Sequence, residues 1–147
     1  MHRSIVKVIE DFINKDNSLR ELSIVADDDF ENLYGFDITP CCMPFNTTVW
    51  HNYVTPGVFL RCSIPCQIQD TSVILNLLND INQDLPAGSF VLSSDGSFII
   101  YKNSYYYSDG FSENNFQDIL YSSKEFIGLH WEKILACIQG DRFDHQH

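Results

Sequence analysis

Between residues 89 and 102 the chain reads Ser-Phe-Val-Leu-Ser-Ser-Asp-Gly-Ser-Phe-Ile-Ile-Tyr-Lys. An Asp-Gly pair between two apolar runs is a hairpin signal, because a tight primed turn needs positive φ at both central residues. Taking Asp95-Gly96 as the loop pairs Leu92 with Ile99 and Phe90 with Tyr101 on one face. Val91 with Ile100 and Ser93 with Phe98 then occupy the other. The first face reads as core. The second is mixed, yet too apolar for open solvent, so it needs a cover. Tyr105 and Tyr107 continue the parity of Ile99 and Tyr101, whereas Tyr106 shares that of Phe98 and Ile100.

Helical periodicity surrounds this hairpin. Ile5, Val8, Ile9, Phe12 and Ile13 recur at helical spacing and predict an amphipathic helix over residues 4–15, with Ser4 as its N-cap. Thr71 is placed to cap a second helix, with Val73, Ile74, Leu77, Leu78, Ile81 and Leu85 on one face and Pro86-Ala87-Gly88 as the stop. Ser112 caps a third, carried by Phe116, Ile119, Leu120, Ser123, Phe126 and Ile127 and then by Trp131, Ile134, Leu135 and Ile138. Gly128 allows a break there, at about 1 kcal/mol for a helix-interior Gly. Residues 141–147 read as a frayed polar tail.

Strands account for the remainder. Leu22, Ile24 and Ala26 alternate and end at Asp27-Asp28-Asp29, which reads as a solvated turn. Residues 30–46, with Gly35, Pro40 and Pro44, are hard to read and are taken as strand and loop. Residues 49–54 and 58–68 predict two strands around a Thr55-Pro56-Gly57 turn. Pro65 puts the second strand at an edge or ends it. Helix, several strands, helix, hairpin, helix, without βαβ alternation, predicts an α+β fold: an antiparallel sheet packed with about three helices, in one domain.

Charge narrows the function classes. Nine Lys and Arg face twenty Asp and Glu over 147 residues, a net charge of −11. Such a surface repels nucleic-acid phosphates and anionic lipid, so neither is an expected partner. No apolar run reaches the roughly 20 residues that span a bilayer, and the N-terminal stretch lacks the apolar core of a signal peptide. The expected location is the cytoplasm. Five cysteines (Cys41, Cys42, Cys62, Cys66 and Cys137), odd in number and irregular in spacing, fit reduced thiols.

Residue patterns that carry chemistry are few in this chain. Vicinal Cys41-Cys42 would serve a thiol enzyme or redox sensor if a cation or a helix N-terminus lowered a thiol pKa, and Thr-Pro-Cys-Cys-Met-Pro-Phe offers neither. Cys62 and Cys66 fall on one face of a regular strand, but no CxxC pair supports structural zinc. His2, His145 and His147 lie at the chain ends. His51, beside Trp50, would need a cysteine partner in space, and His130 reads as a helix-surface or partly buried residue. The acidic run from Asp27 to Glu31 lacks EF-hand spacing. Phosphate-loop, dinucleotide, hydrolase-elbow and zinc-protease strings do not occur. No catalytic residue, metal or cofactor is expected, and the chain reads as a non-enzyme.

From Pro65 onward the chain resembles the YbjN family, small bacterial proteins whose fold is similar to class I type III secretion chaperones. The resemblance is carried by residues 77–92, in which a helix with an Asn near its end leads through Gly88 to Phe90-Val91-Leu92. Asp95-Gly96, Phe98-Ile99-Ile100-Tyr101-Lys102 and the closing helix at residues 131–141 complete it. It covers roughly the last half of the chain, and its parts are structural, so no active-site residues are implied. Secretion chaperones of this fold are acidic dimers that bind extended client segments. The resemblance therefore implies a chaperone-like or adaptor role with a protein client, and a homodimer as a further expectation. Val91, Phe98, Ile100 and Tyr106 are the expected contact residues. A helix of the same chain is a simpler cover for that face than a client. A small ligand in a pocket lined by the tyrosines is the remaining alternative.

Overall fold

The computed structural model describes residues 2–15, 19–38, 45–68 and 70–144. In chain order these form α1 (His2–Lys15), β1 (Leu19–Asp27), β2 (Glu31–Ile38), β3 (Phe45–Asn52) and β4 (Gly57–Pro65). Then come α2 (Thr71–Asp84), β5 (Ser89–Leu92), β6 (Phe98–Tyr106) and α3 (Glu113–Asp144). The six strands make one antiparallel sheet in the order β1-β2-β3-β4-β6-β5. The fold is α+β. Cys41 and Cys42 lie outside the described residues, as do His145 and His147.

Strand alternation decides where the core lies, since successive side chains point to opposite faces. Tyr34, Phe36 and Ile38 of β2 share a face with Phe45 and Val49 of β3, Leu60, Cys62 and Ile64 of β4, Ile99 and Tyr101 of β6 and Phe90 of β5. All are buried, in one cluster with Ile5, Ile9 and Phe12 of α1, Ile74, Leu78 and Ile81 of α2, and Phe116, Leu120, Ile127, Trp131, Ile134 and Ile138 of α3. The edge of Phe45 meets the Trp131 ring at 5.1 Å. Each such aromatic or aliphatic side chain contributes about 1.5–3 kcal/mol through removal from water. The three helices thus join the core on one side of the sheet. Among the described residues, no apolar side chain on the other face belongs to that cluster.

The predicted hairpin register is the observed one: Phe90 pairs with Tyr101, Val91 with Ile100 and Leu92 with Ile99. Its loop is wider than the two-residue turn expected. The Gly96 N–H donates to Ser93 O at 2.9 Å, and Asp95 Oδ1 accepts from Ser97 N–H at 3.0 Å and from the Ser93 hydroxyl at 2.9 Å. Gly96 takes φ 74°. Bonds from the Ser97 hydroxyl and N–H, then from Ser93, hold the Asp95 carboxyl below its ordinary pKa. Gly88 has φ 73°, and a Cβ there would collide with the Tyr101 phenol and the Lys102 carbonyl, so the chain can leave α2 for β5 only through glycine.

Several boundaries differ from the sequence reading for identifiable reasons. Helix α1 begins at His2, which places Ser4 inside it and not at its cap. The N-cap of α2 is Asp70, not Thr71; Asp70 Oδ1 accepts from Ser72 N–H at 3.1 Å. A carboxylate also complements the helix dipole, which a threonine hydroxyl does not. Val73 is 58% exposed, because the core lies under Ile74, Leu78 and Ile81. Helix α3 is continuous past Gly128, flanked by buried Ile127 and Trp131, and reaches Asp144, inside the span expected to fray. Ser112 does cap it, accepting from Asn115 N–H at 3.2 Å. Residues 31–38 form a full strand, β3 starts at Phe45, and β4 ends at Pro65 in the sheet interior.

The two sheet edges are protected differently. On β5 the Asn82 amide donates to Phe90 O at 2.9 Å and accepts from Phe90 N–H at 2.7 Å, standing in for a further strand. β1 carries two register shifts, and these pair Ile24 with Tyr34 but Ala26 with Leu33, on opposite faces. The expected alternation of β1 is broken there, and Ile24 is exposed. Bulges of this kind twist an edge away from partners. Among the described residues no helix is long and apolar enough to cross a membrane.

Candidate functional site: the uncovered face of the sheet

On the face away from the helices, side chains stack in rows across the strands. Leu33, Trp50 and Phe59 are consecutive partners across β2, β3 and β4. The Trp50 and Phe59 rings lie 5.0 Å apart, and Tyr106 meets Phe59 edge-on at 5.5 Å. Gly57, paired with Tyr106, makes room for this: a Cβ would sit 3.1 Å from the Tyr106 ring and 3.3 Å from Phe59. Trp50 Nε1–H donates to Glu31 Oε2 at 2.7 Å, fixing the indole against the sheet. Two rows further along, Ser63, Ile100 and Val91 are partners across β4, β6 and β5, with Pro65 and Phe98 beyond them.

Between the aromatic and aliphatic rows lies a row of different chemistry. Thr48, Arg61, Lys102 and Ser89 are successive partners, so the two cations stand directly opposite one another on β4 and β6. Like charges so placed destabilise a sheet. Both are exposed, and among the described residues neither side chain has an ion-pair partner. No Asp or Glu occupies this face on β3, β4, β5 or β6. A hollow of about 550 Å³ opens here, lined by Phe59, Arg61, Ser89, Val91 and Lys102 among others.

The four residues singled out from the sequence all fall on this face: Val91 half-buried, Ile100 buried beneath its neighbours, Phe98 42% and Tyr106 66% exposed. Trp50, Phe59, Arg61 and Lys102 escaped the sequence reading. Lys102 shares the parity of Ile100, a usable signal. Arg61 becomes its neighbour only because β6 pairs with β4 across an intervening helix and strand.

A second cluster, on the covered face, is buried and polar. Asn32 and His51 pair across β2 and β3, both fully buried. Asn32 Nδ2–H donates to Asp27 Oδ1 at 2.6 Å, so its Oδ1 faces the Tyr53 hydroxyl, which donates at 2.5 Å, and His51 Nδ1 at 3.3 Å. That orientation assigns the His51 proton to Nδ1 and leaves Nε2 to accept from the Tyr107 hydroxyl. Burial, then the neighbouring Tyr107 and Asp27, pushes the Tyr53 phenol up to about 12. Burial also raises Tyr107, and burial followed by the Asp27 charge raises Tyr34, which donates to Asp27 at 3.3 Å. The phenols therefore stay protonated and donate. Both imidazole nitrogens are engaged, Nδ1 with Asn32 and Nε2 with Tyr107, which is the arrangement of a structural brace. Asp27 anchors this network from the exposed end of β1, and the acidic run beyond it is a solvated turn in which Asp28 Oδ1 accepts from Phe30 N–H at 2.8 Å and from Glu31 N–H at 2.9 Å.

Neither Cys62 nor Cys66 is an activated thiol. Burial pushes Cys62 up to about 12, and Thr47 Oγ1–H donates to its sulfur at 3.4 Å. Burial, then the Asp95 carboxylate, raises Cys66 as well. Cys62 and Cys66 form no disulfide. Among the described residues no group of His, Cys, Asp and Glu could hold a metal ion. Compared with known protein families, curated proteins and solved structures, the chain has no significant match.

Proposed function

We propose that this chain is a non-enzymatic protein-binding domain, of the chaperone or regulatory-adaptor kind, that receives a partner on the uncovered face of its sheet in the bacterial cytoplasm. The observation that carries this reading is the composition of that face. Leu33, Trp50, Phe59, Tyr106, Val91, Ile100 and Phe98 lie outside the core cluster, and Phe59 and Val91 line a hollow of about 550 Å³ together with Arg61 and Lys102. Aromatic side chains are enriched in binding hot spots because they bury much area at small entropic cost. The resemblance to the YbjN family points the same way, through the extended client segments bound by secretion chaperones of similar fold.

The test uses the exposed members of the face. Phe98→Ser combined with Tyr106→Ser removes 42%- and 66%-exposed side chains, so the fold should survive, as circular dichroism and thermal melting would verify. Wild-type protein should retain a subset of an array of extended peptides of varied sequence, and the double variant should lose them. Unchanged retention by a folded double variant would reject the reading.

A further inference from the structure

We infer that the partner segment is an extended, acidic-centred peptide carrying apolar residues two positions either side of an Asp or Glu, laid along the strands across Arg61 and Lys102. This rests on the protein-binding reading of the uncovered face and specifies its partner. Three observations combine.

The first is the arrangement of rows. Successive rows on one face are two residues apart along a strand, about 6.6–6.8 Å. Along β4 these are Phe59, Arg61 and Ser63, and along β6 they are Ser104, Lys102 and Ile100. An extended peptide shows alternate side chains with the same repeat. Apolar, acidic and apolar residues at positions i, i+2 and i+4 therefore meet the Trp50–Phe59 row, the cation row and the Ile100–Val91 row together.

The second is charge. In a chain of net charge −11, the centre of this face holds two cations in direct cross-strand opposition and no carboxylate on β3 to β6. That juxtaposition costs stability in the free protein. A carboxylate seated between Arg61 and Lys102 removes the repulsion and can accept from both.

The third weighs against a second copy as occupant. A two-fold contact through this face would bring together two bodies each of charge −11, and the carboxylates the face itself carries, Glu31 and Asp37, lie on β2, with Glu31 already accepting from Trp50. A short acidic peptide brings a carboxylate to Arg61 and Lys102 with far less opposing charge.

The experiment measures fluorescence anisotropy of labelled peptides containing Phe-Ser-Glu-Ser-Leu, flanked by Gly-Ser, against the full chain. Three controls accompany it: Gln for Glu, Lys for Glu, and a scramble with the apolar residues adjacent. The Glu peptide should bind about tenfold more tightly than the Gln peptide, with the gap narrowing as salt rises. In the Arg61→Glu, Lys102→Glu double variant the preference should invert in favour of the Lys peptide. Equal binding of Glu and Gln peptides, with both lost in the Phe98→Ser, Tyr106→Ser variant, would overturn the acidic partner and leave the binding face standing. Binding of no peptide would overturn both. A concentration-dependent dimer that Arg61→Glu disrupts would overturn the acidic peptide alone, by making a second copy the occupant of the binding face.

Discussion

The same strands build two faces with opposite chemistry. On one, nearly every inward residue from Tyr34 to Ile99 is at or near zero exposure beneath three helices, and its polar members, Asn32, Thr47 and His51, find partners. On the other, rings stack on each other without joining the core, and two like charges stand opposed. A sheet needs only one buried face to be stable. The contrast therefore separates a face committed to folding from one whose composition folding does not explain, and an unrelieved cation pair is the clearest mark of the second.

The comparison breaks most readily on the covered side. Phe116→Ala should cost about 3–5 kcal/mol, measured as a fall in the urea midpoint, because the side chain is fully buried in the core. Phe98→Ser, on the other face, should shift that midpoint by only a small fraction as much; equal costs would mean the second face is also core. His51→Gln should cost about 1–3 kcal/mol by leaving members of the Asn32–Tyr107 chain unpaired. A smaller loss would show that water replaces the ring.

Alkaline titration sharpens the same contrast. Cys62 ionises near 9 when unfolded and near 12 in the folded protein, so above pH 9 the unfolded chain releases a proton that the folded one keeps. Its contribution is complete below pH 9 and is lost as pH rises toward 12, at about 1.4 kcal/mol per pH unit. Tyr53 and Tyr101, both pushed from 10 to about 12 by burial, add in the same sense from pH 10. Stability in urea measured from pH 8 to 11 should fall with a steepening slope, and Cys62→Ala should remove the part that begins near pH 9. The smallest effect has the opposite sign. Lys102→Glu should stabilise by about 0.2–1 kcal/mol, by turning a repulsive cross-strand pair into an attractive one. A neutral or destabilising result would mean that the two cations do not repel.

Much of the fold was legible because its signals are local. The Asp95-Gly96 hairpin register, the parity of Tyr105, Tyr106 and Tyr107, the Ser112 cap and the extent of α2 all follow from residues within a few positions of each other. Where local signals compete, the reading slipped. Asp70 and Thr71 are both capping residues, and the structure uses the carboxylate. Gly128 weakens a helix that buried Ile127 and Trp131 hold together. The bulges of β1 leave no sequence trace that alternation can detect. Val91, Phe98, Ile100 and Tyr106 were assignable to a common face, and the cations at its centre were not.

By itself, the sequence determined which residues share a face in the regular strands β2 to β6, because side-chain direction along an unbulged strand depends only on parity. It also determined where helices and turns begin and end, within the reach of a cap or a glycine. Only the tertiary structure decided which face the three helices cover, that β6 lies beside β4, and hence that Arg61 and Lys102 stand side by side. The tertiary structure likewise gathered Asp27, Asn32, His51, Tyr53 and Tyr107 into one network. The reason is the same in each case. Periodicity is a property of neighbouring residues, whereas strand order and helix docking arise from burying the largest apolar area, to which residues far apart in the chain contribute together.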